Sequence, residues 1–476
     1  MEGTAGAEGA GALHIVLWED YMHKHLLAGV SAIAVILGGA SAFGQDLMFP
    51  KGEGAFNWQS LEDFKASHTG LEGQELTIWH AWAEPGDNAQ FSAVVSYFED
   101  ATGIRVTHGS SKNYEEQARI DIGAGSPSNV LILPQPGLLA DFAAQGALVD
   151  LGQETTDWLS ENYSAGPSWA ALGQYKGKDG EVHQYGFPYK QEVKSLVWYS
   201  PDNFAEKGYE VPETWEDMLA LQDKIVADGG VPWCIGIESG GATGWTATDW
   251  IEDILLRTQP PEVYDGWVTN EIKFNDPRIV AAIDTFGSIA KQDKFVAGGT
   301  KAIATTAFGD SPKGLFTVPP QCYMHRQASF IPSFFGDDKV AGEDYNFFYL
   351  PASEAAGLGK PVLGSGNLAT IAKDSPAARA FIEYLQTPIA HEIWMAQTNA
   401  SFLSANKGIN TEVYSSQANK DLGQILLNAT TFRFDGSDLM PGPIGAGAFW
   451  TGMVDYVNGK SAQEVADAIQ AAWDKL

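Results

Sequence analysis

Cysteine, basic residues and long apolar runs are all scarce in this chain. Only Cys234 and Cys322 occur among 476 residues, which leaves a single disulfide or two buried free thiols as the readings open. Lysine and arginine number 29 against 60 aspartates and glutamates, a formal net charge of -31. A field of that sign repels phosphate backbones and anionic lipid surfaces, so nucleic acid and membrane surfaces are poor partners. Beyond residue 42 no segment is apolar enough to be read as a membrane span. Signatures of catalysis are missing as well. The run Gly364-Ser365-Gly366-Asn367-Leu368-Ala369 looks like a dinucleotide loop, but a strand-like stretch, Ala369 to Ala372, follows where a helix is required. His391-Glu392 would need a second histidine three residues on, and Met395 stands there. There is no phosphate loop and no G-x-S-x-G elbow, and the histidines lack metal-ligand spacing, so no cofactor and no metal is expected. Acidic residues are plentiful enough to leave a glycosidase pair open, with no spacing that singles one out.

What is present is a folded chain rich in rings. It is 44% hydrophobic and 12% aromatic, enough for about two or three domain-sized cores. Met22 to Ala42 reads as a secretory leader: His23, Lys24 and His25 make a basic start, Leu26 to Leu37 an apolar core, and Ala40-Ser41-Ala42 the A-x-A cleavage pattern. Residues 1 to 21 read as an upstream extension. No cysteine follows the cleavage point, which argues against a lipid anchor, and the mature product is expected in the periplasm. In that oxidising compartment the even pair Cys234 and Cys322 favours a bridge, closing a loop of about 90 residues and contributing about 4 kcal/mol.

Along the chain, Leu76 to Trp79 is strand-like, and Phe91, Val94, Val95 and Phe98 form one face of a helix. Ile104 to Val106, a helix over Tyr114 to Ile122, and the strand Val130 to Leu133 continue the alternation of a parallel sheet covered by helices. Ligands of such sheets lie beyond the carboxyl ends of the strands, which points at Trp82 to Asn88, Asn113 to Glu116 and Pro134 to Gly137. Gly186 to Ser200, GFPYKQEVKSLVWYS, organises the rest. Its Leu196 to Tyr199 has the composition of a buried strand, while Lys190, Glu192 and Lys194 alternate and project on one side. This pattern predicts a crossover between two lobes with ligand above it; an edge strand with a solvated face is the alternative. Thr214 with Asp217, Ser375-Pro376 and Ser461 with Glu464 mark helix starts. Thr246 to Leu256 also reads as helical, and dipole complementation at its amino end accounts for part of the cluster Thr248, Asp249, Glu252 and Asp253.

Aromatic residues recur beside planar or charged polar groups in the segments expected at the cleft. Trp82 lies near Glu84, Tyr114 precedes Glu115, Trp245 precedes Asp249, His325, Arg326 and Gln327 stand together, and Trp450 closes GAGAFW. A sugar suits this combination, because its C–H face packs on a ring while each buried hydroxyl-binding group left unpaired costs about 1–3 kcal/mol. Ordinary core packing is the competing account of any one of these rings.

The segments LTIWHAW, YFEDATGIRVTH, NYEEQARIDIGAGSP, LPQPGLLADFAAQGALVDL, GFPYKQEVKSLVWYS and DLMPGPIGAGAFWTGMVDYVNGKSAQEVADAI resemble the family 1 extracellular solute-binding proteins of bacterial ABC importers, which include the maltose-binding proteins. WCIGIESGGATGWTATDW, HRQASFIPSFF and NATTFRFDGSDLMPG are similar to its α-glucoside-binding members. The resemblance implies a two-lobed α/β periplasmic binding protein fold, each lobe a mostly parallel sheet flanked by helices, joined by several crossovers and closing by a hinge. Residues 46–189 plus 327–388 are expected to form the first lobe and 190–326 plus 389–476 the second. It also implies that Glu115 and Glu192 supply carboxylates to sugar hydroxyls, and that Trp245 and Trp450 stack on sugar rings. Gln135 and Pro136 replace charged and aromatic residues of maltose-binding relatives, and Ala83-Glu84 replaces an acidic-basic pair. The expected binding set is Trp82, Tyr114, Glu115, Gln135, Lys190, Glu192, Trp245, Asp249, His325, Gln327, Gly366 and Trp450. The expected function is non-catalytic capture of an α-glucoside such as maltose, sucrose or trehalose by a monomer that delivers it to a membrane permease. An exported glycoside hydrolase, or the same fold holding a polyamine, are the alternatives.

Overall fold

The computed structural model describes residues 47–476 apart from 165, 337, 401 and 428–430. The expected extension (1–21) and leader (22–42) lie outside the described residues. Among the latter, no helix is long and apolar enough to cross a membrane. The strands are β1 Glu75–His80, β2 Arg105–Ser110, β3 Val130–Leu133, β4 Gln174–Lys176, β5 Val182–Gln184, β6 Phe187–Val193, β7 Leu196–Tyr199, β8 His325–Arg326, β9 Asn346–Tyr349, β10 Pro361–Ile371 and β11 Thr431–Phe434.

The alternation read at the start of the chain is realised. β1 lies between β3 and β2, all parallel, with Ile78 opposite both His108 and Val130. The helices Pro85–Thr102 and Tyr114–Gly123 make the two connections. Phe91, Val94 and Phe98, spaced for one helical face, are buried against the sheet together with Phe381 and Trp394. The sheet extends through β10, antiparallel to β3, and β11 runs parallel to β10 on the far side. β6 also pairs with β10, antiparallel. The GSGNLA run therefore lies inside β10 rather than in a loop before a strand. Its glycines let neighbours close in: a Cβ on Gly366 would stand 2.7 Å from the Lys190 carbonyl, and one on Gly364 2.3 Å from the Phe432 ring.

The crossover expected at residues 186–200 divides in two. Every residue of β6 is buried, which removes the solvated edge-strand alternative. The chain breaks at Lys194-Ser195, where the Lys194 N–H donates to the Leu363 carbonyl (2.8 Å) and the Leu350 N–H to that of Ser195 (2.9 Å). β7 then joins a second, antiparallel sheet in the order β8-β7-β9. This half also contains parallel single bridges, such as Trp233 with Val296 and Glu238 with Ala307. A separate, largely helical core fills it, with Trp250, Ile254, Phe286, Tyr456 and Ile469 among its buried members.

Helix ends follow the sequence signals. The Thr214 hydroxyl accepts from the Asp217 N–H, that of Ser375 accepts from Ala378, and Ser461 with Glu464 forms a reciprocal capping box. Cys234 and Cys322 form a disulfide across 88 residues, with Cα atoms 5.4 Å apart.

Candidate binding cavity

The parallel strands aim their carboxyl ends at one cavity. Trp82 and Glu84 follow β1, Lys112 and Tyr114 follow β2, and Gln135 follows β3. β6 supplies Lys190 and Glu192, and β10 supplies Ser365 to Asn367. The other wall comes from the helical half: Trp245 at the start of the helix Trp245–Thr258, Phe308, Phe330 and Phe334, the segment Asp435 to Asp438, and Trp450.

Nine of the twelve residues expected in the site line this cavity: Trp82, Tyr114, Glu115, Gln135, Lys190, Glu192, Trp245, Gly366 and Trp450. Three do not. Asp249 is buried behind the wall, held by Lys194 Nζ (2.9 Å) and Arg326 (3.2 Å). The His325 Nδ1 faces the Cys234 carbonyl at 2.9 Å, and burial pushes its imidazole down to about 4. Gln327 uses its side-chain oxygen to accept from the Ala328 N–H and its carbonyl to accept from the Trp198 indole, so it pins the crossover rather than a ligand.

The polar groups facing the cavity are arranged in pairs. Lys190 Nζ lies 3.1 Å from Glu192 Oε1, while the Ser365 hydroxyl donates to Glu192 Oε2 (2.8 Å). Lys112 pairs with Glu84 at 2.7 Å. The Gln135 amide nitrogen donates to Glu115 Oε1 (2.9 Å). Burial pushes the carboxyls of Glu115 and Asp87 up, in Asp87 against the opposing pull of Lys190. The rings differ in freedom. Trp82 is packed against Trp394 (centroids 4.7 Å apart) and Phe91 (4.9 Å), so it belongs as much to the core as to the cavity. Trp245 is only half-buried, beside Phe308 and Phe330, with Lys194 Nζ 5.2 Å from its centroid.

Lys194 and Asp435, which border the cavity, lead inward from this wall into an ionic network. Lys194 bridges Asp249 and Asp435, Arg326 bridges Asp249 and Asp253, and Arg257 also pairs with Asp253. Glu252 accepts the N–H groups of Gly436 and Ser437, both at 2.9 Å. The acidic cluster in Thr246 to Leu256 is thus no dipole complement at a helix start. Asp249, Glu252 and Asp253 sit from the helix's second turn on and tie three crossover segments together. Burial raises the carboxyls of Asp249, Glu252 and Asp438, reinforced by neighbouring carboxylates. Burial alone would lower Lys194; the carboxylates of Asp249 and Asp435 override it and hold the ammonium well above its usual range.

Sequence reasoning missed Phe308, Phe330 and Phe334, which lie in short irregular turns without periodicity. It also missed Asp435 and Asp438, although Asp435 accepting the Asp438 N–H is a local cap that FDGSDL spells out.

Comparison with known proteins agrees with this layout. The model of the bacterial extracellular solute-binding protein family matches residues 82–392. The chain is 59% identical over 461 residues to the alpha-glucosides-binding periplasmic protein AglE of Rhizobium meliloti, covering 96% of this chain and all of that one. It is 42% identical to the osmoprotective compounds-binding protein GgtB of Synechocystis, covering 79% and 87% respectively. Among solved structures, the bacterial solute receptor AcbH superposes with a TM-score of 0.72 at 19% identity, covering 84% of this chain and 98% of that one. Maltose-bound MalE3 of T. maritima does so with 0.65 at 15%, covering 85% and 100%. These likenesses show the fold, that of the two-lobed periplasmic binding proteins.

Proposed function

This chain belongs to the bacterial extracellular solute-binding proteins, and on that premise we propose that it captures an α-glucoside of maltose, sucrose or trehalose type and hands it to the permease of an ABC importer. The observation that carries the reading is the composition of the cavity: stacking surfaces Trp245 and Trp450 on one wall, and Glu115, Gln135, Lys190 and Glu192 opposite and below. Rings take the apolar face of a sugar, and the amide, carboxylates and ammonium take its hydroxyls. The identity to AglE supports the same ligand class. Closure follows if ligand touches both walls only when the lobes are shut, which gives the closed state its differential affinity. The lobes are taken as 46–189 plus 327–388 and 190–326 plus 389–476, the mature protein as a periplasmic monomer cleaved after Ala42, and the ligand as chemically unchanged by binding.

Calorimetry of the pure protein against maltose, sucrose, trehalose and spermidine tests this reading, with prolonged incubation watched for free glucose. Tight binding of a glucoside without glucose release is the expected result. Spermidine binding alone, or steady glucose release, would overturn it. Trp245→Ala is expected to weaken glucoside binding by about 1–3 kcal/mol with little change in stability, because the ring is half-buried at the cavity.

A further inference from the structure

Two polar atoms on the cavity wall have no partner within the protein. The side-chain oxygen of Gln135 and the indole N–H of Trp450 are both buried and make no hydrogen bond. Both residues line the cavity, Gln135 at 6% and Trp450 at 4% exposure. A third unpaired group there, the Tyr114 hydroxyl, at least lies beside the Ile132 backbone. Unpartnered polar atoms also occur away from the cavity, at Trp267 Nε1 and Arg326 Nε among others, but those of Gln135 and Trp450 border space that a ligand or water can fill. In the ionic network the carboxylates of Asp249, Glu252, Asp253 and Asp435 all have donors.

The orientation of the Gln135 amide is fixed by its neighbour. Its nitrogen donates to Glu115 Oε1 at 2.9 Å, so the oxygen is the atom left over. Glu115 thereby acts as a positioning residue for Gln135. One wall offers a lone acceptor and the other a lone donor. An ammonium could satisfy the Gln135 oxygen but has nothing to accept from the indole. A carboxylate could accept from the indole but brings no proton to the amide oxygen. A hydroxyl both donates and accepts, so a ligand carrying several of them can serve both atoms.

We propose that Gln135 and Trp450 are the residues that make this cavity specific for a polyhydroxylated ligand, the amide oxygen accepting from one sugar hydroxyl and the indole N–H donating to a hydroxyl oxygen. This rests on the glucoside reading above and deepens it: Trp450 is a hydrogen-bond donor as well as a stacking surface, and the hydroxyls of a bound sugar satisfy the two side chains, one from each wall, together.

The test uses substitutions that keep bulk and remove hydrogen-bonding groups, Gln135→Met taking away the amide nitrogen that donates to Glu115 as well as the oxygen. Trp450→Phe keeps an aromatic face without the N–H, and Gln135→Met keeps length without the oxygen. With the glucoside that the wild-type protein binds, each is expected to weaken affinity by about 5–10-fold, with Tm within about 3 °C of wild type. Monodeoxy analogues of that glucoside supply the second measurement and need no variant. Wild-type protein should reject at least one by about tenfold, and Trp450→Phe or Gln135→Met should no longer distinguish it from the parent sugar. Unchanged affinity in both variants, or undiminished rejection of the deoxy analogue, overturns the proposal while leaving the receptor reading in place. Failure of wild-type protein to bind any glucoside would instead remove the reading on which it rests.

Discussion

Lys190 and Lys194 sit four residues apart on the same crossover and each faces carboxylates, yet their surroundings differ. Lys190 pairs with Glu192, whose side chain keeps 10% exposure and opens on the cavity. Lys194 is clamped between Asp249 and Asp435 in a network that also contains Glu252, Asp253, Arg257 and Arg326. The first arrangement can exchange a partner for a ligand hydroxyl. The second is less free to do so, because Lys194 and Asp435, although they also border the cavity, are held by fixed partners. Charge, aromatic content and burial are alike in the two places. What separates them here is the number of fixed ionic partners, one carboxylate for Lys190 and two for Lys194.

The sharpest way to break that comparison is Lys194→Met. It leaves Asp249 and Asp435 buried without their shared cation, and an uncompensated buried charge costs about 3–5 kcal/mol. Urea unfolding should show that loss, larger than for Lys190→Met, which strands a single carboxylate with water nearby. A Lys194→Met protein as stable as wild type would show that the network is no joint.

Stability against pH probes the same network next. The Asp249 carboxyl is pushed up to about 7, and those of Glu252 and Asp438 well above their usual range, by burial first. A carboxyl whose folded pKa is raised contributes stability at low pH and loses it as pH rises from the unfolded to the folded value, so the Asp249 contribution should fade between about pH 4 and pH 7, and those of Glu252 and Asp438 over a range that starts at the same point. Buried histidines set the acidic side. Burial holds His80 at about 3, and His325 and His391 at about 4, so their contribution is present above about pH 6.5 and lost below it. The two trends oppose each other between about pH 4 and pH 6.5 and neither adds stability above pH 7, so scanning calorimetry should find no rise in Tm from pH 7 to pH 9, and a Tm that climbs steadily to pH 9 would contradict this.

The smallest expected effect is at the cavity mouth. The Gly241 N–H donates to Asn113 Oδ1 at 2.9 Å, joining the segment after β2 to the turn Gly240–Ala242 of the other half. Asn113→Ala should weaken glucoside binding by about 0.5–1.5 kcal/mol, mostly through faster release read by stopped-flow fluorescence. An unchanged release rate would place closure elsewhere.

Much of this was legible beforehand, for local reasons. The first half alternates strand and helix with clear periodicity, and the rule about strand carboxyl ends led directly to Trp82, Tyr114, Glu115 and Gln135. The charge alternation at Lys190 and Glu192 was visible because a strand's period of two needs only neighbouring residues. Asp249, His325 and Gln327 misled because each stands beside an aromatic or polar neighbour in sequence, as a ligand-binding residue does. Lys194, a partner of Asp249, lies 55 residues away, the Cys234 carbonyl that faces His325 lies 91 away, and the Trp198 indole that donates to the Gln327 carbonyl lies 129 away.

Sequence alone therefore determined the element types in the first half, the helix caps, the family resemblance and most residues of the cavity. Those properties depend on side-chain period and on groups within a few residues of one another. Only the tertiary structure decided which carboxylates are sealed into the crossover network and which face the cavity. It alone left the Gln135 oxygen and the Trp450 N–H without partners, since satisfaction of a buried polar atom depends on every segment packed around it.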